Sequence, residues 1–169
     1  MAQARERLLL AEYIKAFYPN HRVKLGCPLG PVAESLIFEY GAAKAYKVAR
    51  PMRPEVDALI WDDKRLILVE AKILRWVDGL SKLPLYSSMV PQTPELQEYI
   101  SWPRVVRLVI PFVQENMAAV ASSWGIEVVQ FSIPEIDKYL TEELPYYQTA
   151  EYRQKRVELL AARKNLGLE

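Results

Sequence analysis

The stretch that decides the fold is VDALIWDDKRLILVEAKI, residues 56–73. Two apolar runs flank the polar tripeptide DDK, a pattern that predicts two β-strands joined by a tight turn. Charged residues nevertheless stand near the head of the first run and the end of the second. We therefore expect Asp57, Glu70 and Lys72 to serve a purpose other than packing, since apolar residues would bury better at these positions.

Counting outward from the turn brings these charges together. If residues 63–64 form a two-residue turn, Asp57 lies directly opposite Glu70, with Cβ atoms roughly 4.5–5.5 Å apart. If all of DDK forms the loop, the two acids are diagonal neighbours instead. Side chains alternate along a strand, so Glu70 and Lys72 project from the same face.

Two facing carboxylates repel each other and destabilise the strand pair. A bound divalent cation or the Lys72 ammonium would relieve the repulsion. Hard oxygen ligands suit Mg²⁺ or Mn²⁺, which take one or two carboxylates together with water and substrate oxygens. Such a metal polarises phosphoryl oxygens and acidifies water. Lys72 would then orient or deprotonate the attacking water, or stabilise negative charge in the transition state.

The rest of the chain predicts an α/β protein with a mixed central sheet of about five strands flanked by helices. Apolar periodicity and turn residues predict strands over 22–29, 56–61, 65–73, 104–112 and 126–132. They predict helices over 3–17, 32–49 with a break at Gly41, 79–90, 94–102, 113–124, 134–144 and 149–165.

Asp57, followed by Glu70-Ala71-Lys72 at the end of the next apolar strand, resembles the signature of the PD-(D/E)xK, or restriction-endonuclease-like, nuclease superfamily. The predicted order of elements also resembles the core of that superfamily. The sequence departs from the pattern at Val56, where the signature has proline, and in a helical insert at about 32–50.

The resemblance implies metal-dependent hydrolysis of DNA phosphodiester bonds, with Mg²⁺ or Mn²⁺ as the cofactor and DNA as the partner. It assigns metal ligation to Asp57, Glu70 and the carbonyl of Ala71, and it assigns the catalytic lysine role to Lys72. Small stand-alone proteins with this fold occur in phages, and the segments DGLSKLPLY and TPELQEY are similar to such chains.

A further acidic residue from the first helix completes the site in many members of the superfamily. The segment ARERLLLAEYI resembles the first helix of Holliday-junction-resolvase-like members, which places Glu6 in that role, with Glu12 as the competitor. Six residues separate the two, which is about 240° around a helix, so both cannot face one metal. Glu34 and Glu39 of the insert are further candidates.

A basic stripe precedes the hairpin. Between Glu39 and Glu55 the chain has no acidic residue. The basic stripe consists of Lys44, Lys47, Arg50 and Arg53, which we interpret as nucleic-acid-binding residues. We interpret Arg75, which follows the hairpin, in the same way. The alternative for the stripe is a solvated helix face.

Composition bounds the function. The 169 residues, 51% hydrophobic and 25% charged, fit one domain over 1–145 with a helical extension over 146–169. The extension is expected to mediate homo-oligomerisation or assembly, or else to pack on its own domain. The single histidine excludes two-histidine zinc sites, and no glycine-rich phosphate loop occurs. No apolar run is long enough for a membrane span, so we expect no membrane partner.

One cysteine, Cys27, favours a reducing compartment, so we expect a cytoplasmic protein or a component of a phage virion.

Three functions remain open. The first is a metal-dependent nuclease. The second is a catalytically silent nuclease-fold protein that serves as a structural, assembly or DNA-end-binding component, in which Asp57 caps backbone donors and Lys72 pairs with Glu70. The third is a DNA-binding regulator that uses the basic stripe.

Overall fold

The computed structural model describes residues 2–143 and 150–165. The strands in these ranges are β1 (Arg22–Pro28), β2 (Glu55–Asp62), β3 (Arg65–Ala71), β4 (Arg104–Ile110) and β5 (Ile126–Gln130). The α-helices are α1 (Ala2–Phe17), α2 (Glu34–Tyr40), α3 (Ala42–Ala49), α4 (Trp76–Met89), α5 (Glu115–Ser123), α6 (Pro134–Lys138) and α7 (Ala150–Asn165). Short 3₁₀ helices cover Arg50–Met52, Val90–Gln92 and Pro94–Tyr99, and one π-helical turn covers Tyr139–Glu143.

The five strands form one mixed sheet in the order β1-β2-β3-β4-β5. β1, β2 and β3 are antiparallel neighbours, whereas β3, β4 and β5 are parallel neighbours. Parallel neighbours need a crossover connection, and α4 and α5 supply the two crossovers. The predicted α/β class with a five-stranded mixed sheet flanked by helices is confirmed.

The β2–β3 hairpin has a two-residue turn. Asp63 and Lys64 both have positive φ angles, 40° and 60°, as a tight hairpin turn of the primed type requires. Asp62 pairs with Arg65, and the register runs back along both strands in steps of one residue. The two-residue alternative is therefore the correct one, and the three-residue loop is wrong.

Alternate residues of the central strands bury two separate apolar cores. One core lies between the sheet and the two helices α4 and α5; its members include Leu59, Leu66, Leu68, Leu80, Leu83 and Leu108. The other lies between the sheet and α1; its members include Leu10, Tyr13, Ile60, Ile67 and Val69. Each fully buried side chain of this size contributes about 1.5–3 kcal/mol. Helices α1 and α4 are thereby fixed on opposite faces of the sheet, and both pack beside β3.

The helical insert between β1 and β2 forms as predicted, with its break at Gly41. This residue has a φ of 72°, a conformation that glycine adopts without steric cost, and it separates α2 from α3. Val32, Ala45 and Ala49 form a small core of their own in this insert.

The chain divides into two compact units, Met1–Ser132 and Ile133–Glu169. The predicted domain boundary at residue 145 lies outside the described residues. Within the second unit, α7 exposes Val157, Leu159 and Leu160. Among the described residues, no helix combines the length and the apolar character needed to traverse a bilayer.

The structure corrects the role predicted for Arg53. This residue is buried, with 7% of its surface exposed. Its guanidinium donates two hydrogen bonds to the Glu95 carboxylate, at 2.7 and 2.8 Å, and one to the carbonyl of Gly30 at 2.9 Å. The prediction that Arg53 faces a phosphate is wrong, because its donors join the end of β1 to the segment after α4.

We expect Arg53→Met to lower the free energy of unfolding at pH 7 by about 3 kcal/mol, because it leaves Glu95 without its partner. Burial by itself would raise the pKa of Glu95, but the hydrogen bonds from Arg53 lower it. The pair therefore stabilises the fold fully above the unfolded-state pKa of about 4.3. This contribution is lost as the pH falls through the lower folded-state value. Urea unfolding at pH 7 and near pH 3 should show the difference between variant and wild type shrinking at the lower pH.

Arg65→Met is the matched control. Arg65 pairs with Asp62 at 2.7 Å, but 52% of its side chain is exposed, so we expect a loss of no more than about 1 kcal/mol. Equal losses for the two variants at pH 7 would contradict the structural role of Arg53.

Candidate active site

The predicted site lies at the carboxyl end of β3. Ala71 is the last residue of the strand, and the backbone N–H of Lys72 continues the ladder by donating to the carbonyl of Val109 on β4 at 3.0 Å. An open cleft with a volume of about 520 Å³ lies here, and α1 and α4 both contribute to its lining. The residues that line it are Gln3, Glu6, Arg7, Leu10, Leu25, Gly26, Arg50, Glu55, Val56, Asp57, Glu70, Lys72 and Lys82.

The Lys72 ammonium is the centre of a cluster of four charged residues, Glu6, Asp57, Glu70 and Lys72, which we call the charged cluster. The Nζ atom of Lys72 lies 3.0 Å from Glu70 Oε1, 3.4 Å from Glu6 Oε2 and 3.9 Å from Asp57 Oδ2. The same Nζ donates to the carbonyl of Ala71 at 3.1 Å. Three carboxylates and one carbonyl thus surround a single cation, and 11% of the Lys72 side chain is exposed.

Glu70 is the most deeply buried member of the charged cluster, with 1% of its side chain exposed. Its Oε1 accepts from both Lys72 and Lys82, the latter at 3.3 Å. Its Oε2 is buried and has no hydrogen-bond partner among the described residues. Burial and the nearby Asp57 carboxylate raise the pKa of Glu70, although the two lysines lower it.

The charge on Lys72 is held by its neighbours. Burial by itself would lower the pKa of this ammonium, but the carboxylates of Glu70, Asp57 and Glu6 raise it above its ordinary value. Lys72 therefore remains a cation and a hydrogen-bond donor in this arrangement.

Asp57 connects the two strands of the hairpin at the mouth of the cluster. Its register places it opposite Glu70, one step beyond the paired residues Ala58 and Val69. Its Oδ2 accepts a hydrogen bond from the backbone N–H of Ala71 at 3.0 Å. The capping contact considered from the sequence is thus present, and 36% of the side chain is still exposed.

The structure brings Glu6, and not Glu12, to Lys72. Glu12 lies farther along α1 and pairs with Lys15 at 3.4 Å. Glu34 and Glu39 lie exposed on α2 and do not line the cleft. The helical angle that separates the two acids of α1 accounts for the difference, because one face of α1 points to the cleft.

The donors at this site fit a hard divalent cation. Asp57, Glu70 and the Ala71 carbonyl are oxygen ligands, and the unpartnered Glu70 Oε2 is a buried carboxylate oxygen that a cation would satisfy. Within residues 2–143 and 150–165, no three acidic, histidine or cysteine side chains form a metal-binding group. Mg²⁺ and Mn²⁺ take one or two carboxylates together with substrate or water oxygens, a ligand set that Asp57 and Glu70 can supply in part.

Four of the five predicted nucleic-acid-binding residues are exposed. Arg50 lines the cleft, where it donates to Glu55 at 2.7 Å and to the carbonyl of Gly26 at 3.0 Å. Lys44, Lys47 and Arg75 are exposed but do not line the cleft. The buried Arg53 is the exception described above.

Sequence reasoning missed Gly79 and Lys82 on α4. A Cβ added at Gly79 would lie 2.6 Å from Leu108 Cδ1 and 3.0 Å from Lys72 Cγ, so glycine lets α4 approach the sheet closely. Lys82 follows three residues later, on the same face of the helix, and reaches Glu70. A glycine inside a helix near the end of a charged strand was the signal that could have identified both.

No protein-family model and no curated protein matches this chain. The geometry of the cleft is therefore the basis on which a function is inferred for this chain.

We expect Gly79→Ala to destabilise the fold and disturb the charged cluster. The added methyl group would overpack a core in which Leu108 is fully buried, at a cost of about 1–3 kcal/mol. The better helix propensity of alanine stabilises the fold by only about 1 kcal/mol. Urea unfolding measures the net effect.

Ser81→Ala is the control on the same helix, where the side chain is exposed and a change within about 0.5 kcal/mol is expected. If Gly79→Ala were more stable than the wild type, the close approach of α4 would be refuted.

Proposed function

We propose that the chain is a metal-dependent nuclease that hydrolyses DNA phosphodiester bonds in the cleft at the end of β3. The observation that carries the proposal is the convergence of the Asp57 and Glu70 carboxylates with the Lys72 ammonium in one open cleft. Folding alone gives little reason to bury Glu70 beside a second carboxylate. The resemblance of Asp57 and Glu70-Ala71-Lys72 to the PD-(D/E)xK signature supports the same function.

Asp57, Glu70 and the carbonyl of Ala71 would hold the cation in this proposal. When bound, Mg²⁺ or Mn²⁺ supplies polarisation of the phosphoryl oxygen and a more acidic water. Glu6 adds negative charge on the α1 side of the cleft, 3.4 Å from Lys72.

The chain's own residues then position the reacting groups. Lys72 is a cationic donor next to Glu70, so it orients the attacking water or stabilises the negative charge that develops on the phosphate. The backbone of residues 70–72 is held by β4, through the bond from Lys72 N–H to Val109, which limits movement of both charged side chains. Catalytic sites generally require that the side chains which touch the substrate are held rigidly in this way.

The test is a cleavage panel over duplex, single-stranded, flapped and four-way-junction DNA with Mg²⁺, Mn²⁺ or EDTA. We expect cleavage with a metal and none with EDTA. Asp57→Ala, Glu70→Ala and Lys72→Ala should each lower the cleavage rate by about a hundredfold or more, since each removes charge at the reacting centre. Cleavage that is unchanged in all three variants would refute the proposal.

Helix α1 offers a matched pair of variants. Glu6→Gln should slow cleavage because it changes the charge beside Lys72, whereas Glu12→Gln should keep the wild-type rate because Glu12 pairs with the exposed Lys15. Circular dichroism would establish that each variant is folded. A larger loss for Glu12→Gln than for Glu6→Gln would contradict the placement of Glu6 in the site.

A second candidate function is a catalytically silent nuclease-fold protein that binds DNA ends or joins a larger assembly. One observation favours it: the candidate ligands already have partners within the chain. Asp57 accepts from the Ala71 N–H, and Lys72 donates to the Ala71 carbonyl and lies within 3.0 Å of Glu70. Such contacts serve the fold whether or not a metal binds.

Metal titration separates the two functions. A ligand that binds only the folded chain raises its unfolding temperature. A silent protein predicts no shift with Mg²⁺ or Mn²⁺ and no cleavage, together with binding to DNA ends. A metal-dependent rise in the unfolding temperature, accompanied by cleavage, would exclude this candidate.

A further inference from the structure

We infer that Lys82, on α4, binds a backbone phosphate of nucleic acid that enters the cleft. The inference rests on the proposed function in one respect, since it takes DNA as the ligand of the cleft. It assigns the phosphate contact to α4 and not to the basic stripe over 44–53, from which a phosphate contact was predicted.

The packing of α4 places Lys82 beside the charged cluster. Gly79 lets the helix lie close to the stems of Glu70 and Lys72, because a Cβ added at this position would lie 3.6 Å from Glu70 Cγ and 3.0 Å from Lys72 Cγ. Residues three apart share a helix face, so Lys82 follows Gly79 along the same face. Its Nζ lies 3.3 Å from Glu70 Oε1.

The cleft needs an accessible cation if it is to admit a phosphate. Its charged lining residues comprise four acids and four bases: Glu6, Glu55, Asp57, Glu70, Arg7, Arg50, Lys72 and Lys82. A phosphodiester group is anionic, so the carboxylates of the charged cluster repel it on approach. A basic residue that meets the solvent has to offset this repulsion.

The contacts of the four bases distinguish Lys82 from the others. Lys72 is enclosed by four oxygens, and Arg50 donates to Glu55 and to a backbone carbonyl. Arg7 lines the cleft, but in the described part of the chain no hydrogen bond or ion pair joins it to the charged cluster. Lys82 is held beside Glu70 by one contact while 47% of its side chain is exposed.

Lys82 therefore has donors to spare. An ammonium group has three hydrogen-bond donors, and the contact with Glu70 uses one. Glu70 Oε1 is also approached more closely by Lys72, at 3.0 Å, so the charge of Lys82 is not fully offset by this carboxylate. Lys82 also lines the cleft, so a phosphate oxygen there could accept its remaining donors.

The experiment measures DNA binding apart from cleavage. The full chain is titrated into a fluorescently labelled 20-base-pair duplex, and into the matching single strand, in EDTA at salt concentrations from about 50 to 200 mM. Lys82→Met keeps most of the stem and removes the charge, while Lys82→Arg keeps the charge. Lys15→Met removes an exposed charge outside the cleft as a control, and Lys47→Met tests the basic stripe.

We expect Lys82→Met to weaken duplex binding about three- to tenfold at the lowest salt and to reduce the salt slope by about one. Lys82→Arg should restore most of the affinity, and Lys15→Met should leave it unchanged. A merely structural pairing of Lys82 with Glu70 would lower the unfolding temperature of Lys82→Met without changing its affinity for DNA, and that result would overturn the inference.

The outcomes separate the inference from the proposed function. If the wild type cleaves DNA and Lys82→Met binds as tightly as the wild type, the inference fails and the nuclease proposal stands. If binding depends on Lys82 but no metal supports cleavage, the inference stands and the nuclease proposal fails. Loss of affinity in Lys47→Met alone would return the phosphate contact to the stripe, and a wild type that binds no DNA would overturn the inference.

Discussion

The contacts of the Lys72 ammonium with three carboxylates determine the geometry of the cleft. This ammonium lies between 3.0 and 3.9 Å from one oxygen each of Glu70, Glu6 and Asp57. Without a cation at this point, three carboxylates from three different elements would repel one another, and Glu70 would be a buried charge with only Lys82 to offset it. Removing one partner of such a buried arrangement typically costs about 3–5 kcal/mol. The cation therefore holds α1, β2 and β3 together at the end of β3, beside the cleft.

The two-sided packing of the sheet makes this meeting possible. α1 covers one face of β3 and α4 covers the other, so residues from both helices reach the end of the strand beside the cleft. Gly79 affects both the apolar core and the charged cluster, because any larger residue would push α4 away from Leu108 and from Lys72. The positions of the side chains in the charged cluster consequently depend on apolar contacts several residues away.

Much of this could be predicted from the sequence because the relevant rules are local. Strand alternation placed Asp57 opposite Glu70 or diagonal to it, depending on the turn, and helix geometry showed that only one of Glu6 and Glu12 could face the site. The roles of Arg53 and Lys82 could not be predicted in this way. Each depends on a partner more than ten residues away, Glu95 for the arginine and Glu70 for the lysine, and no periodicity in the chain encodes that distance.

The backbone of Ala71 is engaged on both sides by the charged cluster. Its N–H donates to Asp57 and its carbonyl accepts from Lys72, so both of its polar groups are used by the fold. The same carbonyl, with Asp57 and Glu70, is also the oxygen set that suits a divalent cation. A cation bound there, as proposed, would share these oxygens with Lys72 and with the backbone N–H of Ala71. Glu70 Oε2 is buried and has no hydrogen-bond partner among the described residues, so it is the oxygen that such a cation would satisfy without displacing Lys72.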